Sequence, residues 1–154
     1  ERIPSVRCRH LGDGPVRERL AARHHSTVDY LGASSAVEDF LRGLDVFVLT
    51  SDREGCPNVL LEAMASALAI VATNAGGVAE VVRDGVSGFV VPVGAADALT
   101  ERTGSLLADF TLRQRMGAAA RAEAEGRFSV TRMVDETVRL YRAVAGGAPS
   151  KAAA

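Results

Sequence analysis

Residues 45–73 read DVFVLTSDREGCPNVLLEAMASALAIVAT, and the order of apolar and broken segments in them decides the fold. Asp45–Thr50 and Ala69–Thr73 are short apolar runs rich in β-branched residues, of the kind buried on both faces of a parallel sheet. Pro57–Leu68 between them is helical in pattern, and parallel strands need such a crossover. The loop from Ser51 to Cys56 is acidic and broken by Gly55, with Pro57 directly after it. Its glutamate, Glu54, lies eight positions before the single glutamate of the helix, Glu62.

Two readings of the loop compete. Ser51 and Glu54 match a capping box, in which both side chains satisfy the first amides of a helix. A helix starting near Asp52 would place Pro57 in its second turn, where proline costs about 3 kcal/mol. Pro57 suits the first helical position instead, because its fixed φ helps there and its missing N–H is not needed. Glu54 and Gly55 then belong to the loop, and the amides of Asn58 and Val59 point out of the helix unpaired. Such an end carries about half a positive charge and suits a phosphate.

Along that helix Asn58, Glu62 and Ser66 fall on one polar stripe, while Leu60, Met64 and Ala67 form an apolar one beside Val59 and Ala63. Glu62 therefore sits one turn in from the phosphate-friendly end. A carboxylate there can accept two hydroxyl hydrogen bonds, as a ribose diol offers, or can simply be a solvated surface group. Spacing alone leaves both open.

The alternation continues on either side. Val6–Leu11 and Thr27–Gly32 read as strands, with helices over Val16–His24 and Ala36–Gly43. A short helix at Gly76–Gly85 and a last strand at Ser87–Gly94 follow. Helices over Ala96–Ala108, Thr111–Glu125 and Val130–Ala145 complete the pattern. Such alternation predicts an α/β fold with a doubly wound, Rossmann-like parallel sheet and C-terminal helices, whose ligands bind outside the carboxyl ends of the strands.

With 154 residues the chain suits one domain, here 1–145, followed by a small-residue tail over 146–154 expected to be flexible. A net charge of −1 without a dense lysine or arginine run argues against nucleic acid as the main partner. Cys8 and Cys56 show neither metal-ligand spacing nor a disulfide framework, which suits free thiols in the cytoplasm. The longest uncharged stretch, Ala63–Ala79, is too short and too broken to span a bilayer. The opening ERIPSVRC lacks a methionine and enters a strand almost at once, which predicts a domain cut from a longer polypeptide.

Ser51, Glu54, Gly55, Pro57, Glu62, Ala63, Met64 and Ala65 stand in the pattern S-x-x-E-G-x-P-x-x-x-x-E-A-M-A. Gly76, Gly77 and Glu80 make a G-G-x-x-E block, and Gly85, Gly88, Val91 and Pro92 a further one. Together with LGDGPVRERL upstream and RFSVTRMVDETVRLYRAV downstream, these strongly resemble the nucleotide-binding domain of the family 4 (group 1) retaining glycosyltransferases of the GT-B fold. The resemblance covers nearly the whole chain and implies the C-terminal half of that fold without its first strand and helix.

It implies that Glu54 lies by the donor sugar, where its catalytic role is to position the donor rather than to act as a covalent nucleophile. By the same resemblance Glu62 holds the ribose hydroxyls, and Gly55, Cys56, Pro57, Asn58 and Val59 face sugar hydroxyls and diphosphate. Gly12, Gly14, Leu31 and Gly32 would form nucleotide-side loops, although Gly12-Asp13-Gly14 alone could be a plain turn. Gly76-Gly77 would border the donor or cap a helix, with Glu80 structural.

The implied donor is a UDP-, GDP- or ADP-sugar, with no metal and no further cofactor, since amide dipoles and basic side chains stabilise the leaving diphosphate. The family's diphosphate-binding arginine and lysine lie upstream of the G-D-G loop, and its acceptor-binding domain is N-terminal. The 154-residue chain is therefore expected to be inactive alone. The resemblance leaves peripheral association with the cytoplasmic face of a membrane open for the whole enzyme. One departure is local: the usual glycine after the helix is Ala67, which predicts a different helix end. Competing readings are a GT-B-type nucleotide-sugar epimerase and a non-catalytic nucleotide-binding or regulatory module. A dinucleotide dehydrogenase is disfavoured because no G-x-G-x-x-G follows a strand.

Overall fold

Every strand pair among the described residues is parallel, as the βαβ alternation requires. The structure, a computed structural model, describes residues 6–24 and 28–146. Its elements are β1 (Cys8–His10), α1 (Arg17–His24), β2 (Val28–Tyr30), α2 (Val37–Arg42), β3 (Val46–Leu49) and α3 (Asn58–Ala65). They continue with β4 (Ala69–Thr73), α4 (Val78–Val81), β5 (Phe89–Val91), α5 (Ala96–Ala108), α6 (Phe110–Arg127) and α7 (Val130–Gly146). Residues 147–154 of the expected tail lie outside the described residues, while its first residue, Gly146, ends α7.

The expected single sheet is divided. β1 pairs with β2 in one sheet, and β3, β4 and β5 form another in that order. Val46 stands opposite Ala69 and Leu49 opposite Ala72, so the two strands that frame the opening stretch are direct neighbours.

β4 is the strand buried throughout. Its alternating side chains serve two cores, because successive residues point to opposite faces. Ile70 and Ala72 pack with Leu60, Ala63 and Met64 of α3 and Val78 and Val81 of α4. Ala69 and Val71 pack with Val91, Leu106 of α5 and Met116 of α6. Each large aliphatic side chain so buried stabilises by about 1.5–3 kcal/mol.

β3 departs from its reading as a strand buried on both faces. Only Phe47 is buried, and Val48 is 38% exposed, because β3 is an edge strand with no partner on its far side. No described residue from 6 to 36 is buried, so β1, α1 and β2 form a lobe without a core. α7 buries none of its residues either, and Val130, Met133, Tyr141 and Val144 expose one apolar face.

Pro57 is the N-cap of α3 rather than its first helical residue, and its carbonyl accepts the Leu60 N–H at 2.9 Å. The one-position difference leaves Glu54 in the loop. At the other end the expected change of helix end does not occur. Ala67 takes the left-handed conformation that glycine usually supplies, with φ 56°. The Leu68 N–H reaches the Ala63 carbonyl at 3.1 Å and the Ala67 N–H reaches Met64 at 2.9 Å, which is a Schellman cap. Against this cap lies Gly117 of α6, where an added Cβ would stand 2.0 Å from the Ala67 carbonyl oxygen.

α5 and α6 are joined by paired caps. The Asp109 carboxylate accepts the Leu112 N–H at 2.9 Å, and Arg113 donates to the last carbonyls of α5, Leu106 at 2.8 Å and Leu107 at 2.9 Å.

A left-handed alanine costs about 1–2 kcal/mol, part of which glycine's greater unfolded-state freedom offsets. Ala67→Gly is expected to raise stability by about 0.5–1 kcal/mol, a gain of a few degrees in Tm. Gly117→Ala should lower it by about 1–3 kcal/mol through the clash with the cap. Urea unfolding of both variants checks the pair, and no gain from Ala67→Gly would contradict the strained cap.

Candidate functional site

The chain leaves β3 at its carboxyl end and is held there from the neighbouring strand. Thr73, the last residue of β4, is buried, and its hydroxyl donates to the Ser51 carbonyl at 2.6 Å. That contact sets where the Asp52–Cys56 loop starts. A threonine ending a strand looks like any β-branched strand residue, so the sequence carried no signal for this role.

The loop is then clamped by the segment after β4. The Gly77 N–H donates to the Gly55 carbonyl at 3.1 Å. A Cβ on Gly77 would stand 2.2 Å from that oxygen, and one on Gly76 1.7 Å from the Glu54 carbonyl oxygen. Gly76 also holds φ 53°. Both glycines are therefore demanded by contact with the backbone of Glu54 and Gly55, and Gly77 caps α4 as well.

α4 is in turn tied to α6. Arg127 donates to the Glu80 carbonyl at 2.7 Å, and the mostly buried Glu123 carboxylate pairs with Arg127 and Arg83, each at 2.8 Å. Glu80 takes part through its backbone, which fits a structural role.

Past the loop, α3 begins without help. Pro57 makes no side-chain cap, no acidic residue lies in the first turn, and the amides of Asn58 and Val59 have no backbone acceptor among the described residues. The positive end of the helix dipole is thus uncompensated. Pro57 is buried, which anchors the turn, while Gly55, Cys56 and Asn58 are exposed and Glu54 and Val59 half-buried.

A cleft of about 1930 Å³ opens between the two sheets. At the carboxyl ends of the strands its walls include Ser51, Val59 and Glu62 on one side and Gly12 and Leu31 on the other. The two loops of the second wall are stitched together: the Gly12 N–H donates to the Gly32 carbonyl at 2.8 Å, and the Leu31 N–H to His10 at 2.9 Å.

The structure therefore sorts the expected site residues into two groups. Glu62, Val59, Gly12 and Leu31 share the cleft. Glu54, Gly55, Cys56, Pro57 and Asn58 lie outside its lining, at the start of α3, with the backbone of Glu54 and Gly55 against the glycine pair; Gly14 and Gly32 lie outside the lining as well, Gly32 accepting the Gly12 N–H. Both cysteines are free and exposed, and the His10 ring packs on Tyr30 at 5.4 Å. Among the described residues no three His, Cys, Asp or Glu side chains gather as metal ligands would.

The profile of the family described as glycosyl transferases group 1 matches residues 1–109. The lipopolysaccharide core biosynthesis glycosyltransferase LpsE of Rhizobium meliloti is 32% identical over 148 residues, covering 90% of this chain and 42% of its own. An N-acetyl-α-D-glucosaminyl L-malate synthase of Bacillus anthracis is 30% identical over 85% of this chain and 36% of its own. Among solved structures, Anabaena HepE in complex with UDP superposes with TM-score 0.80 at 25% identity, over 89% of this chain and 42% of that one. The chain thus spans about two fifths of the length of such relatives.

Gly76→Ala is expected to cost about 2–4 kcal/mol, because it adds a clash to the left-handed strain. Gly85→Ala, with a similar φ of 73° but open space around it, should cost only about 1–2 kcal/mol. Chemical denaturation of the two variants separates the contact from the conformation. Equal losses would mean that the glycine pair does not seat the loop.

Proposed function

The chain belongs to the group 1 glycosyl transferases, and from that premise we propose that it is the donor-binding half of an enzyme that transfers a sugar from a nucleoside diphosphate sugar. The observation that carries this reading is the placement of Glu54 and Glu62 around one helix start. Glu62 lines the cleft one turn inside α3, the Glu54 backbone lies outside it against Gly76-Gly77, and the free amides of Asn58 and Val59 lie between in sequence. Such a spacing suits a ligand with a diol at one end, a diphosphate in the middle and a sugar at the other.

On this reading Glu62 accepts the ribose hydroxyls, and the first amides of α3 hold the diphosphate as negative charge builds on the leaving group. Glu54 orients the donor sugar. Gly55 lets the sugar approach the backbone, since no Cβ stands in the way. Gly12, Leu31 and Gly32 border the nucleotide end, where they would sort UDP, GDP and ADP donors. The transfer proceeds with retention and without a metal or further cofactor. The acceptor is held by polypeptide outside these residues, in keeping with relatives more than twice as long as the match. The presence of UDP in the HepE complex supports a nucleotide as the ligand.

Calorimetry with UDP, GDP and ADP tests the assignment on the longest active form of the enzyme. Glu62→Ala should weaken the preferred nucleotide by about 1.5–3 kcal/mol, since a charged acceptor is lost from two hydroxyls. Glu54→Ala should leave nucleoside diphosphate affinity nearly unchanged and weaken the sugar nucleotide. An unchanged affinity in Glu62→Ala would remove the ribose role, and equal losses for both ligands in Glu54→Ala would remove the sugar role. The isolated 154-residue chain is expected to show no transfer from any sugar nucleotide.

A further inference from the structure

β4 is apolar from Ala69 to Ala72 and ends on Thr73, which is buried with the rest. Packing and strand preference alone would favour valine there, since it has the same branched shape and no hydroxyl to take out of water. The Thr73 hydroxyl has one proton and two carbonyls in reach, Ser51 at 2.6 Å and Leu49 at 3.4 Å, so the proton goes to Ser51. No backbone amide among the described residues donates to the Ser51 carbonyl, which leaves Thr73 as its donor. Ser87, the other buried polar side chain among the described residues, accepts the Arg83 N–H four positions away and closes a local turn. The Thr73 bond instead crosses 22 positions and joins the carboxyl ends of two strands.

We propose that Thr73 is a positioning residue for the donor sugar: its hydroxyl sets the Asp52–Cys56 loop so that Glu54 and Gly55 meet the sugar, and it takes no part in holding the nucleotide. The proposal rests on the reading of Glu54 and Gly55 as the sugar-facing residues. The loop backbone is held at Ser51 by Thr73, and at Glu54 and Gly55 by Gly76-Gly77, so every one of these holds comes from the segment that ends β4. The glycines act through their backbone at the far end of the loop, and Thr73 supplies the hold at its near end. Asp52 and Arg53 between the two are exposed. With the Ser51 bond removed, the near end pivots about the glycine contact and carries Glu54 with it.

Glu62 is fixed by other means. It stands on α3, whose Leu60, Ala63 and Met64 are buried against β4 and α4, so the ribose end of the site keeps its place when the Ser51 bond is lost. The two ends of one ligand therefore depend on different contacts. A threonine that served stability alone would weaken both ends together, whereas a positioning threonine weakens the sugar end selectively.

The experiment uses the longest active form of the enzyme, with Thr73→Val, Thr73→Ser, Glu54→Ala and, as a control for stability alone, Ser87→Ala. Calorimetry compares the nucleoside diphosphate bound best among UDP, GDP and ADP with its glucose and N-acetylglucosamine esters. Thr73→Val should weaken the better ester about three- to tenfold, the range one hydrogen bond supplies, and change the nucleoside diphosphate by less than about twofold. Thr73→Ser, which keeps the hydroxyl, and Ser87→Ala should keep the wild-type ratio of the two affinities. Brief trypsin treatment reads the loop without a ligand: cleavage after Arg53 should quicken in Thr73→Val, while cleavage after Arg102, inside α5, stays constant. Thr73→Ala gives the same readings where valine prevents folding. An unchanged ratio or unchanged Arg53 cleavage in Thr73→Val, an equal loss for both ligands, or the same loss in Thr73→Ser would overturn the positioning role. A lowered ratio in Thr73→Val with a wild-type ratio in Glu54→Ala would sustain that role through Gly55 and remove the sugar role of Glu54, so the two readings fail separately.

Discussion

Gly76 and Gly77 lie so close to the backbone of Glu54 and Gly55 that no side chain fits between them. The rest of the site depends on this contact. It fixes the loop against the segment leaving β4, while the Thr73 hydroxyl fixes the start of the same loop on Ser51. Two neighbouring parallel strands therefore cooperate at their carboxyl ends, one presenting the loop and the other holding it. Loops carry function when a rigid scaffold positions them, and here β4, buried throughout, is that scaffold.

α6 extends the same support outward. Through Gly117 it packs on the left-handed cap of α3, and through Arg127 it holds the Glu80 carbonyl at the end of α4. The helix that presents the free amides and the segment that clamps the loop are thus braced by one long helix. The ion pairs of Glu123 with Arg83 and Arg127 bear on a mostly buried carboxylate, where water screens them less than at an open surface. The body from α2 to α6 is consequently well packed, whereas the β1–α1–β2 lobe and α7 stand without a core of their own. The second wall of the cleft belongs to that lobe, so its geometry depends on whatever unites the two sheets.

Much of this was legible beforehand because it rests on local rules. The apolar run of β4, the 3.6-residue stripes of α3 and the intolerance of helices for proline place Glu54 in a loop and Glu62 on a helix. Where expectations failed, distant neighbours decided. Val48 and its strand looked buried but form an edge, and Ala67 keeps a strained conformation that its side chain disfavours because Gly117 and the Schellman bonds hold it there.

The sequence by itself determined the alternation of parallel strands and helices, the break at Pro57 and the separation of the two carboxylates. These depend on periodicity and on backbone limits within a few residues. Only the tertiary structure decided that Gly76-Gly77 seat the Asp52–Cys56 loop, that Thr73 anchors its start, and that the sheet divides with two edges facing one cleft. Those facts depend on which strand lies beside which, and hydrogen-bond pairing across tens of residues leaves no periodic trace in the chain that forms it.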